Sequence, residues 1–320
     1  MITLESTFLD TLDQILKPGA ALFSPEFREL HARFITGRQT RSGGFRGRGR
    51  MADLYYTEFA VRAMVLLDTP CDLKAVGKYI KGIKVLPSGV VHAFSLLNLL
   101  RMLQLRGVSI RPEKMDGLLR CANEMMLDID NSMNHIFLRA ICRDLCSWPN
   151  LPWLSGLRKV LDLPTGCNPI EGAWIHYLQS GDGGFRQRPK LRVSEVNATA
   201  AAVSYLALAG ELGNIKHQAA VDFLLSMQTA DGGLKNHRTA PAADLLSTFT
   251  GLITLAALGA LERANLAAVA RFVREMAAPD GGFRGWIGDT EPDVEYTYYG
   301  LATAALLRTH ATSRLKENTP

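Results

Sequence analysis

Cysteine is scarce in this chain of 320 residues, and the few cysteines form no redox or metal-binding pattern. The five cysteines include no Cys-x-x-Cys pair, and their odd number leaves one without a partner. These absences argue against a disulfide scaffold. We therefore expect reduced thiols and a cytoplasmic protein.

Runs of a single charge sign are also missing. The net charge is +5 and the isoelectric point is near 9.0, but the basic residues are spread through short loops instead of forming an arm or a block. This spread argues against nucleic acid as a partner and favours a local anionic ligand.

Long apolar runs are rare. Residues 245–261 carry no charge, but polar glycine-rich loops interrupt the chain around this and similar stretches, which is typical of helices buried inside an array and not of a membrane span. Residues 1–20 contain acidic residues in an amphipathic pattern, unlike a signal or transit peptide. We expect that segment to form a closing helix.

The chain does contain a repeated segment. Two glycines followed by Phe or Leu, a basic stretch, an acidic residue and, four positions later, a threonine occur at 43–57, 183–199, 232–248 and 281–297. The last three acidic residues are 49 positions apart: Glu195, Asp244 and Asp293. The 142 positions between Asp53 and Glu195 leave room for two degenerate copies. This period predicts six stacked helical hairpins.

Each repeat is predicted to contain two helices. An amphipathic helix precedes the glycines, which end it at positive φ angles. An apolar, alanine-rich helix follows the acidic residue, whose carboxylate caps its N-terminus. Because the second helix is apolar on all sides and the first on only one, the six hairpins predict an all-α fold, an (α/α)6 toroid with a central cavity.

A single domain over 1–320 is expected, without internal boundaries. The predicted inner helices are 54–67, 90–106, 129–146, 196–210, 245–260 and 294–308. The predicted repeats are about 25–67, 72–106, 112–147, 154–210, 216–260 and 263–309, followed by a flexible tail at 311–320.

A closed ring would bring the N-termini of all inner helices, and the loops before them, to one end of the cavity. Helix N-termini attract anions, and these loops add basic side chains: Arg46, Arg48, Arg188 and Arg238. Further substrate contacts are expected from residues at or near the first turns: Asp53, Tyr55, His92, Phe249 and Tyr299. An aromatic funnel with a basic mouth suits a long hydrocarbon that carries a phosphate group. The alternative is that the arginines are solvated and the aromatic residues belong to the core.

The segment at 179–185 (QSGDGGF) and its copy at 228–234 (QTADGGL) resemble the repeat shared by protein prenyltransferase beta subunits and squalene/terpene cyclases. The resemblance implies an alpha-alpha toroid and an isoprenoid substrate. It also implies two partners to consider, an alpha-type subunit and peripheral contact with a membrane.

In the prenyltransferase branch, the resemblance implies a catalytic zinc held by an Asp-x-Cys pair and a histidine. The aspartate corresponds to Asp244, but Leu246 stands at the cysteine position and Tyr296 at the histidine position, so zinc is not expected. Arg238 corresponds to an arginine that would hold the diphosphate, whereas Pro241 replaces a lysine. Zinc-independent prenyl transfer therefore stays open.

In the cyclase branch, residues 292–297 (PDVEYT) resemble an Asp-x-Asp-Asp-Thr acid motif. The resemblance implies that Glu295 donates the proton and that Asp293 tunes it, with Asp244 and Tyr296 as further catalytic candidates. Capping of a helix is the alternative role for Asp293.

A second, imperfect match to the acid motif begins at Asp128 and includes Asp130. Either acidic pair could instead hold Mg²⁺ that bridges to a diphosphate.

Three functions are compatible with these patterns. The first is an isoprenoid-processing enzyme that binds a prenyl diphosphate or a polyprenyl chain in the funnel and transfers or ionises it without zinc. The second is cyclisation of a terpenoid that starts with protonation by Glu295. The third is a non-catalytic subunit that binds a lipid or a partner.

Overall fold

The computed structural model describes residues 7–108, 110, 116–126, 130–147 and 167–317, and every regular element in this part of the chain is a helix. After α1 (Phe8–Ala20), outer and inner helices alternate. The inner helices are α3 (Leu54–Leu66), α5 (Val90–Leu105), α7 (Met133–Cys146), α9 (Val196–Ala209), α11 (Leu245–Ala257) and α13 (Val294–Glu317). The outer helices are α2 (Pro25–Thr36), α4 (Leu73–Gly82), α6 (Asp116–Met126), α8 (Pro169–Leu178), α10 (His217–Ser226) and α12 (Leu266–Met276).

The inner helices form a closed ring. Each packs against the next inner helix along the chain, and the last, α13, packs against the first, α3. Helices α9 and α11 contain no charged residue, as expected for helices that are covered on all sides. The predicted all-α toroid of six hairpins is therefore confirmed.

Five of the six inner helices begin at the residue predicted from the sequence. The third begins at Met133 and not at 129, because the Asp130 carboxylate accepts a hydrogen bond from the Ser132 N–H group (2.8 Å) and holds a turn before the helix. The last helix continues to Glu317, so residues 311–317 of the predicted tail are helical. This stretch lacks the glycine and proline that would end it.

The glycine pair of each repeat fits against the outer helix of the following hairpin. Gly183 has a φ of +91°, and a Cβ atom there would lie 2.0 Å from the carbonyl oxygen of Ala219 on α10. A Cβ atom on Gly232 would lie 2.2 Å from the carbonyl oxygen of Ala268 on α12. Only glycine satisfies both the backbone angle and the close approach.

The threonine of each repeat ties the loop to the inner helix. The Thr199 hydroxyl accepts from the Phe185 N–H group (2.9 Å) and donates to the Glu195 carbonyl (2.7 Å). The same pair of bonds occurs at Thr57, Thr248 and Thr297. The spacing of four between the acidic residue and the threonine thus reflects one turn of helix.

The sixth hairpin meets the first through equivalent contacts. A Cβ atom on Gly281 would lie 2.4 Å from the carbonyl oxygen of Leu30 on α2, and His31 Nδ1 hydrogen-bonds to the Gly281 carbonyl. Arg48, in the first loop, forms an ion pair with Asp293 at the start of α13. The ring therefore closes with the same loop-to-helix packing that joins its other members.

Helix α1 closes one end of the ring. It packs along α13, while its N-terminal part reaches α5 through an ion pair of Asp10 with Arg101. The Phe8 N–H group donates to the Asp144 carboxylate of α7 (2.7 Å). Because α7 and α13 lie on opposite sides of the ring, α1 crosses it near the C-terminal ends of the inner helices.

The uncharged stretch at 245–261 lies inside this ring. Its first part forms α11, in which Leu245, Leu252 and Leu255 are fully buried. Among the helices of the described residues, none combines the length and the apolar character needed to cross a bilayer.

We expect Gly183→Ala to destabilise the fold by at least about 2 kcal/mol, because the new Cβ atom would be strained at positive φ and would clash with α10. Urea denaturation followed by circular dichroism measures this loss. The control is Gly181→Ala in the same loop, where no atom lies within 4 Å of a Cβ atom and where the next repeat carries Ala230. Equal stability of the two variants would contradict the packing argument.

Candidate functional site

The first turns of the inner helices and the loops before them meet at one end of the ring, which we call the mouth. The first N–H group of an inner helix donates to a carbonyl in the loop of the next hairpin, as from Val196 to Asn236 (2.7 Å) and from Leu245 to Gly285 (2.9 Å). Neighbouring loops are therefore joined around the mouth.

The acidic residues of the repeats begin the inner helices, but they do not all cap them. Three of them accept hydrogen bonds of 2.7–3.0 Å from N–H groups of the first turn: Asp53, Asp244 and Asp293. Glu195 makes no such bond, and its carboxylate accepts from the Asn236 side chain at 3.4 Å. The predicted cap is therefore wrong for the Glu195 side chain. Glutamate has one methylene group more than aspartate, which carries the carboxylate past the N–H groups of the first turn.

Glu295 is a half-buried acid in the first turn of α13. The Tyr55 hydroxyl on α3 donates to Glu295 Oε1 at 2.6 Å. Burial raises the pKa of Glu295 to about 7, the nearby Asp293 carboxylate adds to the rise, and the hydrogen bond from Tyr55 opposes it. A carboxyl group with this pKa is partly protonated near neutral pH and can act as a proton donor.

Aromatic side chains of three inner helices extend from this acid and form what we call the aromatic cluster: Tyr55, Phe59, Phe249, Tyr296, Tyr298 and Tyr299. The ring centroids of Phe59 and Tyr299 are 5.3 Å apart, and those of Phe249 and Tyr299 are 5.8 Å apart. Burial raises the pKa of Tyr299, which keeps its ring neutral. Neutral aromatic faces stabilise cations.

Asp293 and Asp244 contribute two further carboxyl groups at the mouth. Burial raises the pKa of Asp293, against hydrogen bonds from the Tyr296 N–H group and from Arg48, whose Nε lies 3.1 Å from Asp293 Oδ2. Burial also raises the pKa of Asp244. Asp293 lies two residues before Glu295. Its negative charge makes ionisation of Glu295 less favourable.

The predicted anion-binding arginines have different partners. Arg48 pairs with Asp289 as well as Asp293, and Arg188 pairs with Asp130 at 2.8 Å. Within the described ranges Arg238 is exposed and forms no ion pair, while Arg46 is half-buried and donates to the carbonyl of Gly49.

The other predicted contacts at the mouth are His92 and Asp53. Their Nε2 and Oδ2 atoms are 3.9 Å apart, across the gap between α5 and α3. His92 is also close to the Ser88 carbonyl through Nδ1 (3.0 Å). The pair connects the second hairpin to the first.

The positions considered for metals that the structure describes do not form a ligand cluster. Asp128 lies outside the described residues. Asp130 accepts from the Ser132 N–H group and pairs with Arg188. Leu246 and Tyr296 occupy the first turns of α11 and α13. Over the ranges that the structure describes, no three His, Cys, Asp or Glu side chains come together as metal ligands would.

A buried polar network, which none of the sequence motifs predicts, lies deeper than the aromatic cluster. Glu58 accepts a hydrogen bond from Asn98, which itself accepts one from Arg101 (3.3 Å). Arg62 donates to the Tyr298 hydroxyl (2.6 Å) and lies 4.1 Å from the centre of that ring. The signal available in the sequence was the presence of charged residues within otherwise apolar inner helices.

The chain matches the family described as the prenyltransferase alpha-alpha toroid domain over residues 8–97 and 164–319. It belongs to this family. A search of curated proteins finds no match.

Solved structures share the fold at low sequence identity. The protein geranylgeranyltransferase-I of Candida albicans complexed with GGPP is 14% identical with a TM-score of 0.58, covering 87% of this chain and 90% of that one. A glycosidase is 13% identical with a TM-score of 0.57, covering 90% of this chain and 99% of its own. At such identities the likeness shows the fold alone.

We expect Glu295→Gln to stabilise the protein relative to the wild type increasingly as the pH rises from about 4.5 to about 7. Below that window Glu295 is neutral in both the folded and unfolded states. Above it, the folded wild type holds a charge that is only partly hydrated, whereas the unfolded chain exposes this charge fully, and the difference costs on the order of 1–3 kcal/mol. Thermal unfolding across this pH range measures the effect, and Glu291→Gln removes an equal charge from an exposed position as the control. If the melting temperatures of both variants changed with pH in the same way, the raised pKa of Glu295 would be contradicted.

Proposed function

We propose that this protein is an isoprenoid-processing enzyme that holds a polyprenyl chain or a prenyl diphosphate against the aromatic cluster and starts its cyclisation by protonating a double bond. The observation that carries this proposal is Glu295, a half-buried acid with a pKa of about 7 beside neutral aromatic rings. The family membership supports the substrate class.

The proposed proton transfer uses residues of two hairpins. The Glu295 proton adds to one carbon of an alkene, the π bond breaks, and a carbocation forms on the other carbon. The carboxylate that remains keeps its hydrogen bond from Tyr55 (2.6 Å). Aromatic faces stabilise the cation while further double bonds close rings. Loss of a proton from carbon, or addition of water followed by loss of a proton, ends the reaction and balances the charge.

Asp293 is proposed as the positioning residue for this acid. Its carboxylate adds to the rise in the pKa of Glu295, and Arg48 holds it in place through the contact of 3.1 Å. Asp244 and Tyr296 stay as catalytic candidates on neighbouring first turns.

Zinc-independent prenyl transfer is the second candidate, and the position of Arg238 favours it. This arginine is exposed at the mouth without an ion pair in the described ranges and matches the position that holds the diphosphate in prenyltransferases. An alpha-type subunit would then be a natural partner. Prenyl transfer releases the diphosphate, whereas cyclisation that starts with protonation leaves the diphosphate on the product.

The two candidates differ in their products. Incubating the protein with geranyl, farnesyl and geranylgeranyl diphosphate, with and without Mg²⁺, should yield cyclic products that retain the diphosphate. We expect no release of pyrophosphate, which an enzyme-coupled assay measures. Release of pyrophosphate would instead favour transfer or ionisation, and no turnover of any isoprenoid would favour a non-catalytic subunit.

Glu295→Gln should reduce cyclisation by at least about a hundredfold, because an amide has no acidic proton to give. In the wild type the rate should fall as the pH rises through about 7, since Glu295 is then ionised. Product formation measured by mass spectrometry tests both statements. Glu291→Gln should retain activity; retained activity in Glu295→Gln would exclude protonation by this residue.

A further inference from the structure

A surface pocket lies outside the ring of inner helices, where the sixth hairpin meets the first. Its volume is about 590 Å³, and its walls come from α2, the loop after α2 and the turn before Gly281. We call it the seam pocket. In the part of the chain that the structure describes, its lining includes no residue of an inner helix or of the aromatic cluster. The seam pocket is therefore separate from the candidate acid site.

The seam pocket carries an excess of positive charge. Arg33, Arg38 and Arg46 line it, and within the described ranges none of them forms an ion pair. The one acidic residue of the lining is Asp280, whose Oδ1 atom accepts a hydrogen bond from the Gly282 N–H group (3.2 Å). Three positive charges and one negative charge leave a net charge of +2. An anion in the pocket would relieve the repulsion between the arginines.

One of these arginines replaces a core residue of the other repeats. When the repeats are aligned on their glycine pairs, Arg38 occupies the position of Leu178, Met227 and Met276. Those three side chains are buried, whereas Arg38 is half-buried and its guanidinium carbon lies 4.8 Å from the centre of the Phe34 ring. A position that is apolar in three repeats therefore holds a cation in the first.

Neutral groups hold the Arg38 guanidinium at the pocket. It donates to the carbonyl oxygens of Gly47 (3.4 Å) and Pro292 (3.3 Å), which belong to the first and the sixth hairpin. Both bonds are long, and a carbonyl group does not neutralise the charge. Since a guanidinium group has five N–H donors, Arg38 retains donors for an anion.

A glycine leaves the space that a ligand needs. In the fourth repeat, Tyr177 occupies the position of Gly37, and the guanidinium carbon of Arg186 lies 5.9 Å from the centre of its ring. Arg46 stands at the position of Arg186 but has no such ring beside it, because Gly37 has no side chain. The first repeat therefore leaves open a volume that the fourth repeat fills with an aromatic ring.

Apolar side chains form the rest of the wall. Leu30, Phe34 and Pro279 also line the seam pocket. The volume of about 590 Å³ is far larger than a phosphate ion and lies within the range of pockets that bind small organic molecules. The lining therefore suits a ligand with both an anionic group and an organic group.

We propose that the seam pocket binds a small organic phosphate monoester. The phosphate group contacts Arg33, Arg38 and Arg46, and the organic group lies against Leu30 and Pro279. Guanidinium groups bind phosphate oxygens through paired hydrogen bonds. The charge of the phosphate group, close to −2 at neutral pH, matches the net charge of the pocket. Binding needs neither Glu295 nor turnover, so it can be tested separately from the proposed reaction.

Isothermal titration calorimetry of the full chain with phenyl phosphate tests the proposal. We expect saturable binding at one site per chain. Phenyl sulfate has nearly the same shape but only one negative charge, so it should bind several-fold more weakly. Inorganic phosphate should also bind more weakly, because it has no organic group to place against the apolar wall.

A charge variant and a matched control test the role of the arginines. Arg33→Gln/Arg46→Gln should bind phenyl phosphate at least about tenfold more weakly, because hydrogen bonds from charged donors are lost. Arg271 occupies the position of Arg33 on the sixth outer helix and is exposed. Arg271→Gln removes the same charge away from the pocket and should bind like the wild type.

A second variant closes the pocket without changing its charge. Gly37→Tyr gives the first repeat the side chain of the fourth, and its ring should cover Arg46 and abolish binding. Gly37 has a φ of −62°, and a Cβ atom there would meet only two carbonyl oxygens of its own helix, both at 3.4 Å. We therefore expect this variant to fold, which a melting curve measures.

Three results would overturn the proposal. The first is wild-type protein that shows no saturable binding of phenyl phosphate. The second is unchanged binding by folded Arg33→Gln/Arg46→Gln or by folded Gly37→Tyr. The third is binding that is lost in Arg238→Gln and kept in the pocket variants, since the anion would then bind at the mouth.

Discussion

The structure depends on the close approach of a glycine pair to the outer helix of the next hairpin. At Gly183, Gly232 and Gly281 the backbone is at positive φ and leaves no space for a Cβ atom. At these junctions each hairpin is therefore held to its neighbour by the same contact. Gly43 packs in the same way on Ala75 of α4, so four junctions of the ring use this contact, and the one at Gly281 joins the last loop to Leu30 on the first outer helix.

Closure of the ring creates the candidate acid site. Glu295 belongs to the sixth hairpin and Tyr55 to the first, about 240 positions apart in sequence, and their hydrogen bond exists only because α13 meets α3. The ion pair of Arg48 with Asp293 crosses the same junction. The low polarity of the surroundings raises the pKa of Glu295 and also strengthens the attraction between a cation and aromatic faces.

The loops before the inner helices determine both the chemistry at the mouth and the properties of its outer surface. Each of the four loops with a glycine pair has a buried Phe or Leu that anchors it, as at Phe185, followed by a longer segment with exposed residues. The anchored part positions the first turns and their acidic residues. The exposed segments can therefore carry apolar and basic residues without affecting the fold.

Some of the site could be predicted from its local pattern. Glu295 and Asp293 were found through the acid motif, and Tyr55, Phe249 and Tyr299 through their places near the starts of inner helices. The charge state of the mouth could not be predicted, because Arg48 and Arg188 are paired with Asp289, Asp293 and Asp130 on other segments. Such pairs depend on distances that appear only after the hairpins are arranged.

The sequence by itself determined the helical repeat, the number of hairpins and the starts of five inner helices, because glycine conformation, capping and apolar periodicity act over a few neighbouring residues. The late start of α7, the buried network of Glu58 and Arg62, and the environment of Glu295 were decided only by the tertiary structure. Burial and hydrogen bonding between distant hairpins set these properties, and no local pattern records which helices become neighbours.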